Sequence, residues 1–413
     1  MRKFSRIYRP LHLMLNLKPL SISAETAAAP GPAWLRQWHG WLLVAVWVLV
    51  QLLVLAQNHG PRYVNDSGRY LAYGTRIAQE WHFERDHNLR YVGYPLFIAL
   101  WLKLGTGWWG IVLGQMAVSG LAARAFYRTL RRLTPQPLDW RPAALATAAL
   151  VAWRDAQQFN VYLLTESLFA SFTILAFWAL VRARRGPAGR WVVFGLLVLL
   201  TGIVRPNGFV VAGAAALAGL ARLWQLPGRR AFWRAVLGLV ALVPVWWWVL
   251  NKLLLTFTLV ETYLRGEIIY GFTPWVVEPT EPLLLPPPGL APVLRLGYFI
   301  TANPTYFLKL ATLKGLLFFS YVKTYYSWSH ILLIVVFIYP CYWLAVRGLR
   351  TATAWLPARV FLAGVVLLQG FVVMITVEDW DVRFLLPVLP CVFALAGLSL
   401  GRWLPPATPT LKA

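Results

Sequence analysis

The sequence predicts an all-α polytopic membrane protein, and three observations carry that prediction. Of its 413 residues, 59% are hydrophobic and only 13% are charged, where a soluble chain carries about 25% charged residues. The mean hydropathy is +0.58. The apolar residues also fall in long continuous runs, such as 41–56 and 360–377, which suits membrane helices. Strands of a membrane barrel alternate apolar and polar over about 10 residues instead. Cys341 and Cys391 both sit in apolar runs and imply neither a disulfide framework nor a metal site.

The formal net charge is +24, which in a soluble chain would point to nucleic acid. Here the placement of the charges decides. Lys and Arg collect in short segments between apolar runs, at 2–18, 128–141, 182–190, 222–234 and 347–359. Such basic connections mark the cytoplasmic side. That side holds 24 of the 39 Lys and Arg, but only Glu25 and Asp139 of the 15 acids. The basic excess is a topology signal, and no nucleic-acid partner is expected. A polybasic surface also attracts acidic membrane lipids.

Residues 1–40 are basic and interrupted by Pro10, Asn16, Lys18 and Pro19. They lack the apolar core of a signal peptide and read as a cytoplasmic tail. A single membrane domain, 41–400, follows, and then a cytoplasmic tail, 401–413. Its ten predicted spans are 41–56, 108–127, 142–159, 166–181, 191–204, 208–223, 235–256, 330–346, 360–377 and 384–400. This number puts both termini inside. Two outer segments are large. Outer loop one is 57–106, and outer loop two is 257–329 with a proline-rich centre, EPTEPLLLPPP, at 278–288. The stretch YPLFIALWLKL at 94–104 is too short to cross a bilayer. If it crossed, the basic segment 128–132 would lie outside, so it is predicted to lie along the outer surface. A second interfacial helix is predicted over 303–321, with Pro304 near its start and Lys309 and Lys314 in a Leu- and Phe-rich run. No internal repeat is visible.

Outer loop one contains NDSGRYLAYGTRIAQEWHFERD, 65–86. A helix starting near Ser67 places Arg69, Tyr70 and Tyr73 on the face of Asp66. A carboxylate at a membrane surface, flanked by an Arg and two Tyr, suits a general base that accepts a hydroxyl proton. The alternative is that Asp66 caps the helix. Position three of that helix is Arg69 and not Glu, so no capping box favours the alternative. Glu166 opens a span at its outer end. A carboxylate at membrane depth is expensive and tends to be functional, yet an acid there also suits a helix N-terminus. Binding of a substrate hydroxyl is its expected role.

Five stretches together resemble the GT-C class of glycosyltransferases, which use polyprenyl-phosphate-linked sugars and include protein O-mannosyltransferases and lipid A aminoarabinose transferases. They are NDSGRYLAYG, GYPLFIALWLKLG at 93–105, LLTESLF at 163–169, IVRPNG at 203–208 and RFLLPVLP at 383–390. They occur in the expected order across most of the chain and are silent on the sugar. The resemblance implies that Asp66, at the position of the first-loop acid, is the catalytic base. Many relatives carry two adjacent acids there, whereas Ser67 follows Asp66 here. A single acid disfavours a metal-bound version, so no metal or other cofactor is expected. The DWD at 379–381 looks like a metal-binding motif, but a turn in the last loop is its expected role.

The resemblance further implies a polyprenyl-phosphate sugar donor and a glycan, lipid or protein acceptor. Arg205 and Arg383 lie at outer span ends, where a guanidinium fork can hold the donor phosphate. Snorkelling to the headgroups is the alternative for both. Arg69 and Lys309 are further phosphate candidates. Lys323, Tyr325 and His330 follow for phosphate or sugar, His330 being assigned with Tyr70 and Tyr73 to substrate binding. The predicted chemistry is inverting transfer of a hexosyl or pentosyl unit at the periplasmic face of a bacterial inner membrane. A polysaccharide polymerase or ligase is the nearest rival. A flippase or transporter would call for polar or broken spans, and a membrane acyltransferase for a His within a span.

Overall fold

The computed structural model describes residues 33–85, 87–134, 139–254, 259–350, 354–379, 382–401 and 403–404. Most of both predicted tails therefore lies outside the described residues. The chain is helical, as predicted. Helix α1 is Ala33–Gln57, and outer loop one then holds α2, Ser67–Glu80, and α3, Gly93–Lys103. Next come α4, Gly107–Leu133; α5, Arg141–Ala152; and the single turn α6, Arg154–Gln157. They are followed by α7, Glu166–Ala183; α8, Gly189–Val204; and α9, Gly208–Trp224. Helices α10, Arg230–Ala241, and α11, Val243–Val249, lead into a π-helical turn, Leu250–Leu254. Outer loop two holds α12, Leu259–Leu264; α13, Pro292–Ala302; and α14, Pro304–Ser320. Three helices complete the chain: α15, Trp328–Leu349; α16, Leu356–Ile375; and α17, Leu389–Leu400.

The bundle is organised around α17, whose residues Leu389 to Ser399 are all buried. A helix apolar on every side needs such a central place. Helices α15 and α5 pack on it, α4 and α8 flank α7, and α16 joins α9 to α14. A Cβ added to Gly348 of α15 would lie 2.0 Å from the Leu395 carbonyl oxygen of α17. Only glycine permits that approach. At the periphery, α10 and α11 bury no residue, and Trp246, Trp247 and Trp248 stand exposed. Apolar surface of that kind is suited to lipid rather than water.

Four helices among the described residues are long and apolar enough to cross a membrane singly: 34–57, 166–183, 328–349 and 356–375. The pair α10 and α11 makes a fifth if its 43° bend is bridged. Pro244 at the start of α11 accounts for that bend, since it lacks an N–H and crowds the preceding turn. Helices α5, α8, α9 and α17 are shorter apolar helices. The predicted span 142–159 needs correction. Its helix stops at Ala152, Trp153 turns extended, and α6 with a 3-10 turn completes the segment. The twelve residues of α5 alone rise about 18 Å, so a crossing here takes in α6 and the 3-10 turn as well. The two predicted interfacial helices are present as α3 and α14.

Two short backbone pairings draw the outer segments together. Arg62 pairs in parallel with Tyr162: the Arg62 amide donates to Val161, and the Leu163 amide donates to Arg62. That pairing sets the start of α2 beside the start of α7. Ile269 of outer loop two pairs in parallel with Glu378. It ties outer loop two to the segment that leads to Arg383.

Candidate active site

Asp66, Glu166, Arg205 and Arg383 come from four separate stretches of sequence and meet in one cluster. Each is placed by local backbone chemistry. Asp66 occupies the N-cap position of α2, and the Ser67 hydroxyl accepts from the Val64 amide to tighten the turn before it. Glu166 opens α7, where the exposed amides of a helix start favour a carboxylate. Arg205 ends α8 in an extended conformation, φ −149° and ψ 136°, as expected of a residue before proline. A Cβ on Gly208 would fall 2.4 Å from the backbone of Gly202. Glycine there lets α9 start tightly against the end of α8. Val382 precedes Arg383 with φ 48°, a left-handed backbone that a β-branched residue seldom adopts.

Arg383 is the hub. Its Nη1 donates to Asp66 Oδ2 at 2.8 Å, and its Nε donates to Glu166 Oε1. Arg205 Nη1 lies 2.6 Å from the same Glu166 oxygen, and the Thr165 hydroxyl donates to Glu166 Oε2 at 3.3 Å. Asp379 stands 3.8 Å from Arg383, and Arg69 stands 3.8 Å from Asp66. Burial falls off sharply across the cluster. The Glu166 side chain is 1% exposed and that of Arg205 7%, whereas Asp66 is 39% exposed. Asp66 is thus the open member, and it makes no side-chain capping bond to α2. Arg205 is buried against the rings of Phe169 and Phe384. It does not extend to the surface as snorkelling would require.

A cationic and aromatic wall stands beside Asp66. The Arg69 guanidinium lies over the rings of Tyr70 and Tyr91 and donates to the Tyr70 hydroxyl at 3.3 Å. It also meets His87 Nε2 at 2.6 Å, and Arg90 meets His87 Nδ1. A neutral imidazole can accept at one nitrogen only, so one of these contacts forms at a time. Burial, then Arg90 and Arg69, hold His87 down at about 4. Burial, with Tyr91 and Glu166 nearby, pushes the Tyr70 phenol up. Burial works against the charge of Arg383, but Glu166 and Asp379 outweigh it and raise its value.

Within the cluster, the oxygens of Glu166, expected to bind a substrate hydroxyl, face Arg205, Arg383 and Thr165. Other expected site residues lie apart from it. Tyr73 packs with Ile77 and Ala99, and its hydroxyl accepts from the Glu84 amide. Its ring is buried between α2 and α3. Lys309 is exposed on α14. His330 bonds to Asp155 Oδ2 at 2.9 Å and stacks on Tyr326. Tyr325 packs edge-on against Phe272 and Tyr326. Lys323 is fully buried 4.0 Å from the fully buried Glu378; burial lowers the lysine and pushes Glu378 up to about 7. Of the DWD motif, Asp379 flanks Arg383, while Trp380 and Asp381 lie outside the described residues.

Sequence reasoning missed a buried amide network behind Glu166. The Ser167 hydroxyl donates to Asn160 Oδ1 at 2.6 Å, and Asn160 Nδ2 donates to Gln51 and Gln157 at 3.0 Å. Gln115 donates to the Asn160 and Tyr162 carbonyls and accepts from the Tyr94 hydroxyl at 2.8 Å. A cavity of about 40 Å³ lies among Ser119, Asn160, Glu166 and Ser171. Amides inside apolar runs, as at Gln51 and Gln115, were the available signal.

No family model matches the chain, and no curated protein matches it. Among solved structures it is similar to the crystal structure of ArnT from Cupriavidus metallidurans in the apo state, at 16% identity and a TM-score of 0.42. The match covers 88% of this chain and 60% of that one. The chain therefore spans about 60% of that protein's length.

Proposed function

We propose that this chain is a membrane glycosyltransferase of the GT-C type, moving a sugar from a polyprenyl-phosphate donor to an acceptor at the outer face. One observation carries the reading: Asp66 of the first outer loop, Glu166 of LLTESLF, Arg205 of IVRPNG and Arg383 of RFLLPVLP converge on each other. In this reading the acceptor hydroxyl oxygen attacks the anomeric carbon while the bond from that carbon to the phosphate oxygen breaks. The bonding pair leaves with the lipid phosphate, and the hydroxyl proton passes to Asp66, the open carboxylate of the cluster. Displacement from the opposite side inverts the anomeric centre.

Arg383 and Arg205 meet the charge that grows on the leaving phosphate, from positions already fixed before the reaction begins. Glu166 is a positioning residue that holds both guanidiniums. Arg69 and Tyr70 shape the acceptor side beside Asp66. The chemistry is read as metal-independent, because one acid stands at the first-loop position and Ser67 follows it. The proposed topology has ten spans, both termini in the cytoplasm and the cluster facing the periplasm of an inner membrane. Incubating purified protein with isotope-labelled polyprenyl-phosphate sugars and a membrane extract tests the reading. Label transfer with release of polyprenyl phosphate and inverted product is expected. Label that crosses the membrane still attached to its lipid would replace transfer with transport.

A further inference from the structure

A second charged site lies at the far end of α7. The 18 residues of α7 begin at Glu166 and rise about 27 Å at about 1.5 Å each. Where they end, a cavity of about 910 Å³ opens between the ends of α4 and α7 and the start of α8. Helix α4 lines it with Arg128, Arg131 and Arg132. The end of α7 lines it with Arg182, the connection to α8 with Arg184 and Arg185, and the start of α8 with Arg190. Tyr127, Leu133 and Val181 are the remaining lining residues, so among the described residues no carboxylate faces the cavity.

Several of the arginines are braced by hydrogen bonds and by aromatic rings. Arg131 Nη1 donates to the Tyr127 hydroxyl at 3.1 Å. Arg182 lies over Trp178, Arg184 lies over Trp355, and Arg190 donates to the Arg182 carbonyl. Among the described residues, Arg128, Arg132, Arg182, Arg184, Arg185 and Arg190 form no ion pair. Asp139, the acid nearest in sequence to the α4 arginines, is committed to Arg141 through two side-chain bonds at 2.9 and 3.1 Å. Burial and the adjacent Arg185 lower the Arg184 guanidinium. Like charges gathered around one cavity repel unless an anion joins them.

Topology alone asks for basic residues in the connections, not for their convergence on one cavity. The basic segment after α9 shows the difference: Arg222, Arg229, Arg230 and Arg234 lie outside the lining of this cavity. The depth of the arginine cavity also matters. A rise of about 27 Å is close to the bilayer core, which places the cavity at the headgroups of the leaflet opposite Glu166. Basic pockets between membrane helices at that depth suit phosphate-bearing headgroups.

We propose that this cavity binds the headgroup of an anionic membrane lipid carrying two phosphates. The guanidinium forks from α4 and from the α7–α8 connection hold phosphate oxygens from two sides. Leu133, Val181 and the Tyr127 ring face the glycerol and first acyl carbons. Several hundred Å³ exceeds what one phosphate fills and falls within the usual size of a ligand pocket.

Native mass spectrometry of the delipidated full chain in neutral detergent, with added cardiolipin, phosphatidylglycerol or pyrophosphate, tests the assignment. One cardiolipin per chain is expected to bind saturably, with phosphatidylglycerol weaker by at least about tenfold. The combined Arg132→Gln, Arg185→Gln and Arg190→Gln variant should lose at least about tenfold in cardiolipin affinity while remaining monodisperse. If it does not purify, the single variants Arg185→Gln and Arg190→Gln should each weaken cardiolipin alone. Unchanged cardiolipin affinity in the variants overturns the site. Pyrophosphate binding as tightly as cardiolipin overturns the lipid source and leaves a soluble polyphosphate as the ligand. The readout is binding, so it is independent of whether transfer occurs at the other end of α7.

Discussion

Asp66 and Arg383 stand 317 positions apart in the chain and meet through a 2.8 Å bond from Nη1 to Oδ2. The same guanidinium reaches Glu166 through Nε. One side chain after the last proposed outer loop therefore joins the starts of α2 and α7. That bond also fixes the orientation of the open carboxylate, which a helix cap would otherwise have to do.

Replacing Asp66 with Asn should leave expression and thermal stability near wild type, because its side chain caps nothing. Transfer should fall by at least the roughly 10²–10⁴-fold typical of losing a general base. Turnover of purified Asp66→Asn with a labelled donor measures this. Near-normal turnover would remove Asp66 from the chemistry.

Glu166→Ala should be strongly destabilising. It leaves Arg205 and Arg383 buried without their shared counter-ion, a loss of about 3–5 kcal/mol for a broken buried pair. Glu166→Gln keeps the shape and some hydrogen bonding and should cost less. Denaturant unfolding in detergent ranks the two, and equal midpoints for wild type and Glu166→Ala would contradict the buried-pair description.

Arg205→Ala should weaken donor binding more than acceptor binding, by about 10–100-fold for losing a charged hydrogen bond. Arg205→Lys should recover part of that, since an ammonium keeps the charge but not the fork. Donor titration of both variants decides. Full recovery by Lys together with no loss in Ala would make Arg205 structural only.

The pH response should carry the signature of His87, which is held down at about 4 against an ordinary 6.5. Between those values the unfolded chain takes up a proton that the native imidazole refuses. Stability therefore falls as pH drops from about 6.5 through about 4, and is fully present above that window. Melting curves from pH 7 to pH 4 should show a shallower fall for His87→Gln. Parallel curves would assign the acid sensitivity to other groups.

Topology is tested by cysteines placed at exposed positions, Gln79 on α2, Pro287 in outer loop two and Ala188 before α8. An impermeant thiol reagent should reach the first two only from outside and the third only from the cytoplasm. Labelling of Gln79→Cys from the cytoplasmic side would invert the proposed arrangement.

Much of the helical framework was legible because apolar runs report burial or lipid exposure directly. The start of α2 at Ser67 and the surface helices α3 and α14 followed from local cues. The interruption at Trp153 did not, because hydropathy is blind to a backbone turn inside an apolar stretch. Asp66, Glu166, Arg205 and Arg383 were each singled out by type and place. Their mutual pairing was hidden, since it depends on the parallel pairing of Arg62 with Tyr162 and on the path of the chain around Val382. Tyr73 shows the same limit: helical spacing gives the face of a residue but not what packs on it.

The cluster around Arg383 contains three carboxylates, Asp66, Glu166 and Asp379, and three guanidiniums, Arg69, Arg205 and Arg383. Among the described residues of this cluster three negative and three positive charges cancel, and each guanidinium already faces a carboxylate. A phosphate that enters has to compete with a carboxylate for its guanidinium. Asp66 is the most exposed contestant and is held to Arg383 by one bond, so it yields first. Losing that bond strips the carboxylate of its main counter-ion and makes it a stronger proton acceptor. Occupancy by the donor would then switch the base on, and an acceptor arriving alone would meet a carboxylate still neutralised.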